Sequence, residues 1–397
     1  MFPAVLLSAL AAAPVFAADG PVSLLASATA AADAVAASDP APVADAQAPA
    51  TPPAAPDPAM AAMTFFKMTE ISGFVDMYYM YNFNKTNPAL RNFDVTHNSF
   101  SLNLAELALE KKPMADSRAG YRIDLDYGPT TAIVHGAEPG GVGIYQNIQQ
   151  AYVSFLAPVG TGLQFDAGKF VTWNGYEVIE TKDNWNYSRS LLFAVAIPYY
   201  HSGVRASYSP NDKVTVTGFL VNGWNNAQDN NTGKTIGAEL TLKPTSAFTF
   251  IENYTGGPEQ TNTNTGFRNL SDTVATYTVN KQVSLAGNFD YGKDGATNQT
   301  WWGGAGYLRY QVNDVVAITP RFEYLNDKDG FMTGVSQKPM EGTVTFEFKH
   351  KDGVVLRAEY RHDFSDVAFF TKDTGATSKS QDTVTVGLLY AFSTKTP

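Results

Sequence analysis

Residues 343–349 read TVTFEFK, and apolar side chains alternate with polar ones along the whole stretch. Successive side chains of a β-strand point to opposite faces, so Val344, Phe346 and Phe348 share one face of the strand. The charged and hydroxyl side chains then share the opposite face. Residues 121–127, YRIDLDY, repeat this alternation. The two faces of each strand must therefore meet different environments.

Sixteen segments with this alternation follow Phe65, and turn-forming residues separate them. They are residues 71–83, 98–111, 118–127, 147–156, 162–170, 199–208, 213–223, 234–243, 246–255, 272–279, 282–291, 300–310, 315–324, 341–349, 353–362 and 382–392. Short turns such as SPND and KPTS alternate with longer loops rich in Asn, Gly and Asp. An even strand number and alternating turn lengths are typical of outer-membrane barrels with periplasmic termini. The sequence therefore predicts an all-β fold, a transmembrane antiparallel up-and-down β-barrel of about 16 strands.

A closed barrel of this size is too wide for side chains to fill its interior, which should therefore hold water. The alternative with the same alternation is a soluble β-sandwich, in which the apolar face would form the core. The strand number, the turn lengths and the N-terminal segment together favour the barrel. The charges that we expect on the pore wall are Arg122, Asp124, Asp126, Arg205, Arg309, Arg321, Glu323, Glu347, Arg357, Glu359 and Arg361.

The segment SGFVDMYYMYNF, residues 72–83, is dense in aromatic residues around one carboxylate. Amphipathic rings are favoured at a membrane boundary. The residues expected there are Phe74, Met77 or Tyr78, and Tyr81, with Tyr127, Tyr208, Tyr254, Tyr291, Tyr324 and Tyr390 near other strand ends. Asp76 is expected to turn to water. In residues 98–111 the apolar side chains occupy even-numbered positions up to Leu104 and odd-numbered positions from Leu107. This change predicts a β-bulge around Ala105-Glu106.

The N-terminal part of the chain differs in composition from the rest. Residues 1–17 have an apolar core and end in Val-Phe-Ala, which predicts a secretory signal peptide rather than a short buried helix. Residues 18–63 are rich in Ala and Pro and poor in bulky apolar side chains, so we expect a disordered periplasmic linker. The alternative is a segment that docks on a partner. Residues 64–397 then form the outer-membrane β-barrel.

Composition excludes several classes of function. The formal net charge is −10 and no basic block occurs, so a nucleic-acid partner is not expected. The chain has no cysteine, which rules out disulfides and thiolate metal sites. Its five histidines lack the H-E-x-x-H spacing of a zinc protease, and no G-x-S-x-G nucleophile elbow occurs. We predict no enzymatic activity, no cofactor and no metal site.

Five stretches carry a family resemblance: ISGFVDMYY (71–79), HNSFSLNLAELALEK (97–111), YRIDLDYG (121–128), DAGKFVTWNG (166–175) and HSGVRASY (201–208). They resemble the β-barrel porins of the OmpL-like family of Gram-negative bacteria. The resemblance covers Phe65 to Phe392 and implies an outer-membrane porin for passive diffusion of small hydrophilic solutes and ions. The partners that it implies are outer-membrane lipid and lipopolysaccharide, small polar solutes and the barrel assembly machinery, and it leaves a homotrimer open.

In general porins the third long extracellular loop folds into the lumen, so the resemblance assigns residues 171–198 as the constriction. The charged residues expected in this constriction are Glu177, Glu180, Asp183 and Arg189. An acidic loop that faces a basic wall would create a transverse field that orients polar solutes. The alternative is that these charges simply pair on solvated walls.

Two other functions stay open. Aromatic faces beside polar groups suit a carbohydrate-preferring porin, and the aromatic residues concerned are Trp173, Trp185 and Trp224 in loops with Tyr152, Tyr199 and Trp301 in the lumen. The third candidate is a non-conducting structural or adhesive platform in the outer membrane.

Overall fold

Sixteen antiparallel strands form a closed barrel in the computed structural model, which describes residues 58–138, 143 and 145–395. The predicted signal peptide and residues 18–57 of the predicted linker lie outside the described residues. The barrel strands are β1 (Glu70–Asn82), β2 (Ser99–Lys111), β3 (Ala119–Tyr127), β4 (Ile148–Ala157), β5 (Leu163–Val171), β6 (Tyr200–Asn211), β7 (Val214–Val221), β8 (Thr235–Thr245), β9 (Phe248–Pro258), β10 (Phe267–Thr278), β11 (Val283–Asp294), β12 (Gln299–Gln311), β13 (Val316–Asn326), β14 (Met340–Lys349), β15 (Val354–Phe364) and β18 (Ser380–Ser393). A separate two-stranded sheet consists of β16 (Phe370–Thr371) and β17 (Thr377–Ser378).

The barrel closes because β1 pairs with β2 on one side and with β18 on the other. Met77 faces Leu388 across the closing pair. Closure leaves no strand edge, which is the condition for strands to span hydrocarbon. Each of the sixteen predicted segments overlaps a barrel strand, so the predicted fold is confirmed. The largest difference is in β10, which begins at Phe267 rather than at residue 272.

The two rims of the barrel carry connections of different length. The rim where β1 begins and β18 ends, here called the terminal rim, carries short turns such as residues 212–213 and 246–247. The opposite rim, here called the loop rim, carries the longer connections, with the exception of residues 295–298 between β11 and β12. The longest of these is residues 172–199, between β5 and β6. The predicted alternation of short and long connections is therefore present in the structure.

The outer face of the barrel is apolar. Phe100, Val153 and Phe322 are among its most exposed side chains, which agrees with the apolar outer band expected of a barrel that spans a membrane. Of the tyrosines predicted near strand ends, the exposed ones are Tyr127, Tyr254, Tyr291 and Tyr390. The alternation along each strand thus separates an apolar exterior from a polar interior.

In β1 the side chains that point inward differ from the prediction. Phe74 and Tyr78 are buried inside the barrel, whereas Met77 is exposed outside. Asp76 points inward as predicted, but it is fully buried rather than solvated. The placement of Phe74 at the lipid boundary was wrong, because packed side chains fill the interior at this level. Of the two alternatives Met77 and Tyr78, Met77 is the one that lies outside. The alternation along a single strand cannot reveal that packing.

The β-bulge of β2 lies at Asn103, where the register against β1 shifts between Asp76 and Met77. The predicted position, Ala105-Glu106, was two residues too late. Nδ2 of Asn103 donates a hydrogen bond of 2.7 Å to Asp76. The extra residue places the side chain of Glu106 on the inner face, where it is buried.

Two short α-helices flank the barrel strands. Helix α1 (Pro58–Met68) precedes β1 and includes residues 58–63 of the predicted linker. Helix α2 (Pro129–Val134) follows β3, and its Thr130 donates a hydrogen bond of 2.8 Å to Asn103. No helix in the part of the chain that the structure describes is long and apolar enough to cross a membrane.

Candidate functional site

Residues 172–199, here called the inner loop, lie inside the barrel. Hydrogen bonds join this loop to inward-facing side chains on strands around the barrel wall. The contacts are Thr181 with Asp76 of β1 (2.6 Å), Gly175 with Asp272 of β10 (2.9 Å), Leu192 with Glu323 of β13 (2.7 Å) and Tyr187 with Glu359 of β15 (2.7 Å). The loop predicted to enter the lumen therefore contacts the wall from within.

Local turns allow the inner loop to follow this path. Gly175 has a φ of 92°, a conformation that glycine adopts without steric cost. A 3₁₀ turn spans Thr181–Asp183, and a π-helical turn spans Leu192–Ala196. The first N–H groups of a helical turn have no partner within the turn. Here the carboxylate of Glu323 accepts hydrogen bonds from the N–H groups of Leu191 and Leu192.

Three arginines on β13 and β15, here called the anchoring arginines, bind carbonyl groups of the inner loop. They are Arg321, Arg357 and Arg361, and all three are buried. Their shortest bonds to loop carbonyls run from Arg357 to Asn184 (2.6 Å) and Thr181 (2.7 Å), from Arg321 to Ser188 (2.7 Å) and from Arg361 to Arg189 (2.5 Å). These predicted wall charges hold the loop in place.

Carboxylates on β14 and β15 complete the charge balance. Arg321 pairs with Glu341 at 2.6 Å, Arg357 pairs with Glu347 at 2.8 Å, and Arg361 pairs with Asp363 at 2.7 Å. Glu359 accepts hydrogen bonds from the N–H groups of Tyr187 and Ser188. Buried ions need such partners to offset the loss of their hydration.

Of the four charged residues predicted for the constriction, Glu177 meets the basic wall. Its carboxylate pairs with Arg321 at 2.7 Å and accepts a hydrogen bond from the N–H of Ser190. Arg189 is buried and donates hydrogen bonds to the loop carbonyls of Val178, Tyr187 and Ile179. Both side chains therefore stabilise the conformation of the loop.

The other two predicted residues, Glu180 and Asp183, lie near β2 and β3. Asp183 is half exposed and pairs with Lys182 at 2.5 Å. Burial disfavours the charged form of Lys182. The carboxylate of Asp183 outweighs this effect and raises the pKa of Lys182. Glu180 is buried, and burial raises the pKa of this carboxyl group, as do the charges of Asp124 and Asp183.

Glu180 belongs to a group of three buried carboxylates, here called the acidic pocket, with Glu106 of β2 and Asp126 of β3. None of the three forms an ion pair among the residues that the structure describes. The carboxyl groups of Asp126 and Glu106 lie within hydrogen-bond reach of each other, and no N–H or hydroxyl donor of the described residues reaches either oxygen of Asp126 or Oε2 of Glu106. The neighbouring Asp124 is different, because Arg122 pairs with it at 2.9 Å. Glu180 therefore meets an acidic wall rather than a basic one.

The wall charges that remain partly exposed lie nearer the terminal rim. Side-chain exposures are 31% for Arg122, 23% for Arg205 and 19% for Arg309. Arg205 pairs with Asp166 at 2.7 Å, and Arg309 pairs with Glu347 at 2.6 Å. A cavity of about 340 Å³ is lined by Glu110, Lys111, Lys112, Pro113, Tyr121, Tyr152, Ser154, Gln164 and Arg205. This part of the interior is accessible to water.

A second cavity, of about 390 Å³, lies between the inner loop and the strands β8, β9 and β10. It is lined by Gly175, Tyr176, Thr241, Lys243, Thr249, Ile251, Val274 and Thr276. Hydroxyl groups and one ammonium group on the strands face Tyr176 of the loop.

Most of the aromatic residues considered for sugar binding are used in internal packing. Trp173 stacks on Phe219 with a centroid distance of 3.8 Å and on His201 at 4.2 Å. Trp301 is fully buried and stacks on Phe331 at 5.2 Å. The remaining ones are Trp185 against Tyr176, Trp224 against Trp301, Tyr199 against Phe193 and Tyr152 against Phe170.

One apolar cluster joins the inner loop to several strands. Leu191, Leu192 and Phe193 of the loop belong to it. The strand residues in the same cluster include Phe74 of β1, Leu104 of β2, Leu270 of β10 and Trp301 of β12. The interior is therefore partly a packed core at the level of the loop.

The sequence did not indicate the role of Asp76. Its carboxylate accepts hydrogen bonds from Asn103, Thr181 and Tyr187, so it joins β1, β2 and the inner loop. A lone carboxylate within an aromatic strand segment is the signal that could have identified it. Within residues 58–138, 143 and 145–395, no three His, Asp or Glu side chains are grouped to hold a metal ion.

Residues 68–392 match the family described as "Putative beta-barrel porin-2, OmpL-like". No curated protein matches the sequence. The match to the family covers every strand of the barrel except the last residue of β18.

Solved structures of outer-membrane proteins share the fold at low sequence identity. The outer membrane channel DcaP of Acinetobacter baumannii has a TM-score of 0.53 and 12% identity over 82% of this chain and 97% of its own. An anion-selective porin from Comamonas acidovorans has a TM-score of 0.54 and 12% identity over 82% and 99%. OmpT of Vibrio cholerae in its trimer form has a TM-score of 0.54 and 10% identity over 82% and 99%.

Proposed function

Because this chain belongs to the OmpL-like family of β-barrel porins, we propose that it forms a water-filled channel in the outer membrane. The channel passes small hydrophilic solutes and ions by passive diffusion. The observation that carries this proposal is the contrast between an apolar outer face and partly exposed inner charges such as Arg122 and Arg205. Charges in a lipid-embedded barrel remain partly exposed only where water reaches them.

The constriction in this proposal lies between the inner loop and the wall formed by β2 to β6. Support comes from Lys182 and Asp183, which are the partly exposed charged side chains of the loop on that side. Arg122 and Arg205 supply the facing basic groups. The anchoring arginines are buried against the loop and contribute to its position instead. The transverse field then acts across the β2 to β6 side of the lumen.

Planar-bilayer recording of the detergent-purified protein tests the proposal. We expect discrete open steps, because a porin-like barrel with a wet interior conducts ions. Heat-denatured protein from the same preparation is the control. A correctly folded barrel that inserts without producing current would overturn the proposed function. Liposome swelling with sugars and amino acids then identifies the solutes that pass.

A non-conducting platform is the second candidate, and the apolar cluster between the inner loop and the strands favours it. A packed core that closed the whole cross-section would stop solutes. The bilayer recording separates the two candidates, since a platform gives no current. A sugar-preferring channel would conduct ions and swell liposomes faster with sugars than with amino acids of similar size.

We propose further that both termini face the periplasm and that three copies associate. The support for the orientation is the position of the short turns on the terminal rim. The support for association is the trimer form of OmpT, which has the same fold. Protease digestion of intact cells and chemical cross-linking of the purified protein test these two points separately.

A further inference from the structure

We propose that one part of the outer face, on β9 to β12, is the surface through which two copies of this chain contact each other in the membrane. This surface, here called the flat face, consists of outward-facing residues: Glu252, Ser271, Thr273, Ala275, Gly287, Gly304 and Gly306. The inference deepens the proposed association of copies, on which it rests. It does not require that the barrel conducts.

Glu252 places a carboxylate on the outer face, near the middle of β9. Its outward-facing neighbours on the same strand are Phe250 and Tyr254. Ser271 and Thr273 of β10 donate hydrogen bonds of 2.8 and 2.6 Å to the two carboxylate oxygens, and the described residues supply no ion pair. Ionisable side chains at membrane depth almost always face protein or water rather than lipid. We therefore expect a second protein surface to cover this carboxylate.

Next to this carboxylate the flat face forms a depression of about 380 Å³, with Phe289 and Phe322 among its walls. A Cβ atom added to Gly306 would meet nothing within 4 Å, and one added to Gly287 or Gly304 would have its nearest neighbour at 3.9 or 3.7 Å. Packing within the barrel therefore does not require these glycines, although glycine weakens a strand. Small residues let protein surfaces approach each other closely in a membrane.

The shape of the flat face fits a second copy of the same chain. Copies that share one orientation in the membrane associate about an axis normal to it. Rotation about such an axis brings β9 and β10 of one copy against β11 and β12 of the next. The side chain of Glu252 then lies against the glycine depression of the neighbouring copy, and the contact displaces lipid from the carboxylate. The two edges of the flat face are thus complementary to each other.

Single cysteines test which surfaces meet, because the chain has no cysteine of its own. Ala275→Cys lies in the flat face, and Ala105→Cys in β2 is the matched control on the opposite side of the barrel. Outer-membrane vesicles that contain each full-length variant are treated with a bifunctional maleimide. We expect a cross-linked dimer from Ala275→Cys and none from Ala105→Cys. A dimer from the control alone would overturn the flat face and leave the association of copies standing.

Filling the depression gives a second test. Gly306→Leu points into open space, so the barrel should still fold, which heat-modifiable gel mobility checks. We expect light scattering in detergent to show an oligomer for wild type and for the control Ala105→Leu, and a monomer for Gly306→Leu. An oligomer from folded Gly306→Leu would overturn the inference, and monomeric wild type would overturn the association of copies with it. Bilayer recording decides the channel function separately, since neither test requires current.

Discussion

Arg357 shows how a wall charge is used when a loop occupies the lumen. Its guanidinium donates to the carbonyls of Thr181, Asn184 and Asn186 while it pairs with Glu347. The alternation along β15 predicts correctly that this side chain points inward. It cannot predict that the partner is loop backbone rather than water, because the partner is distant in the sequence.

Replacing Arg357 with Ala should destabilise the barrel by about 1–3 kcal/mol, since buried carbonyl groups of the inner loop lose their donor. The change deletes three bonds to the inner loop and leaves Glu347 with Arg309. Urea unfolding followed by tryptophan fluorescence measures the loss. Arg118→Ala is the matched control, because Arg118 lies at the terminal rim and donates to the carbonyl of Leu156 rather than to the inner loop. Equal losses for the two variants would contradict the anchoring role.

The stability of the barrel should depend on the ionisation of Glu180. Burial raises the pKa of this carboxyl above its usual 4.5, so the folded state holds the proton more tightly than the unfolded state. The resulting stabilisation is present below the unfolded value and is lost as the pH rises through the raised pKa. Melting temperatures between about pH 4 and about pH 8 should therefore fall less in Glu180→Gln than in wild type. Parallel curves would contradict this assignment.

For Phe74 and Tyr78, the sequence could not determine which face of the strand each ring occupies. The sequence indicated correctly that residues 70–82 form a strand. It suggested the wrong face for Phe74 and left the choice between Met77 and Tyr78 open, because aromatic residues suit both a lipid boundary and a packed interior. Tyr78 packs against Tyr187 of the inner loop at a centroid distance of 6.0 Å. Tyr78 and Tyr187 are more than a hundred residues apart in the sequence, so the alternation along one strand cannot indicate their contact.

At the scale of the elements, the inner loop lies directly against β18 at Gly387. A Cβ atom on Gly387 would lie 2.2 Å from ring carbons of Tyr187, whose hydroxyl donates to Asp76 at 3.0 Å. Only glycine therefore lets the loop lie against this strand.

Gly387→Ala should displace the ring of Tyr187 and weaken the barrel by about 1–3 kcal/mol, the usual cost of overpacking. Thermal unfolding measures the effect. Gly342→Ala is the control, because a Cβ at Gly342 meets open space. We expect the control to be neutral or slightly stabilising, since alanine restricts the unfolded chain more than glycine does. An equal or larger loss in the control would count against the close contact.

The strands could be predicted from the sequence, whereas the shape of the inner loop could not. Alternation defines a strand residue by residue, so the predicted bounds of β1 and β14 differ from the structure by about one residue. The π-helical turn Leu192–Ala196 has no such signature. It forms because Glu323 binds its free N–H groups and the cluster around Leu191 buries its apolar side chains.

At the scale of the whole molecule, conductance should increase when the inner loop is shortened. Replacing residues 178–190 with a short Gly-Ser linker removes much of the chain that lies inside the barrel. We expect larger single-channel steps, because the lumen cross-section grows. Replacing residues 261–265 at the loop rim with the same linker is the control, since those side chains are mostly exposed. Unchanged steps in the first variant would show that ions do not pass beside the loop.

The barrel as a whole could be predicted because the same alternation of apolar and polar side chains repeats along the chain. Every strand faces lipid on one side, so the same alternation occurs sixteen times and each occurrence supports the others. The acidic pocket occurs once and combines Glu106, Asp126 and Glu180 from three different elements. The sequence assigned Glu180 to the third long loop and Asp126 to the inner face of its strand. It offered no evidence that they meet.

The wall binds the inner loop largely through peptide groups, and this has a consequence for redesign. Arg357, Arg361, Glu323 and Glu359 contact loop carbonyl and N–H groups, which every amino acid except proline supplies in full. Residues of the loop whose side chains are exposed, such as Val178 and Asp183, can therefore be exchanged without releasing it. Substitutions at these exposed loop positions could thus change which solutes the barrel admits, while the barrel and the path of the loop stay the same.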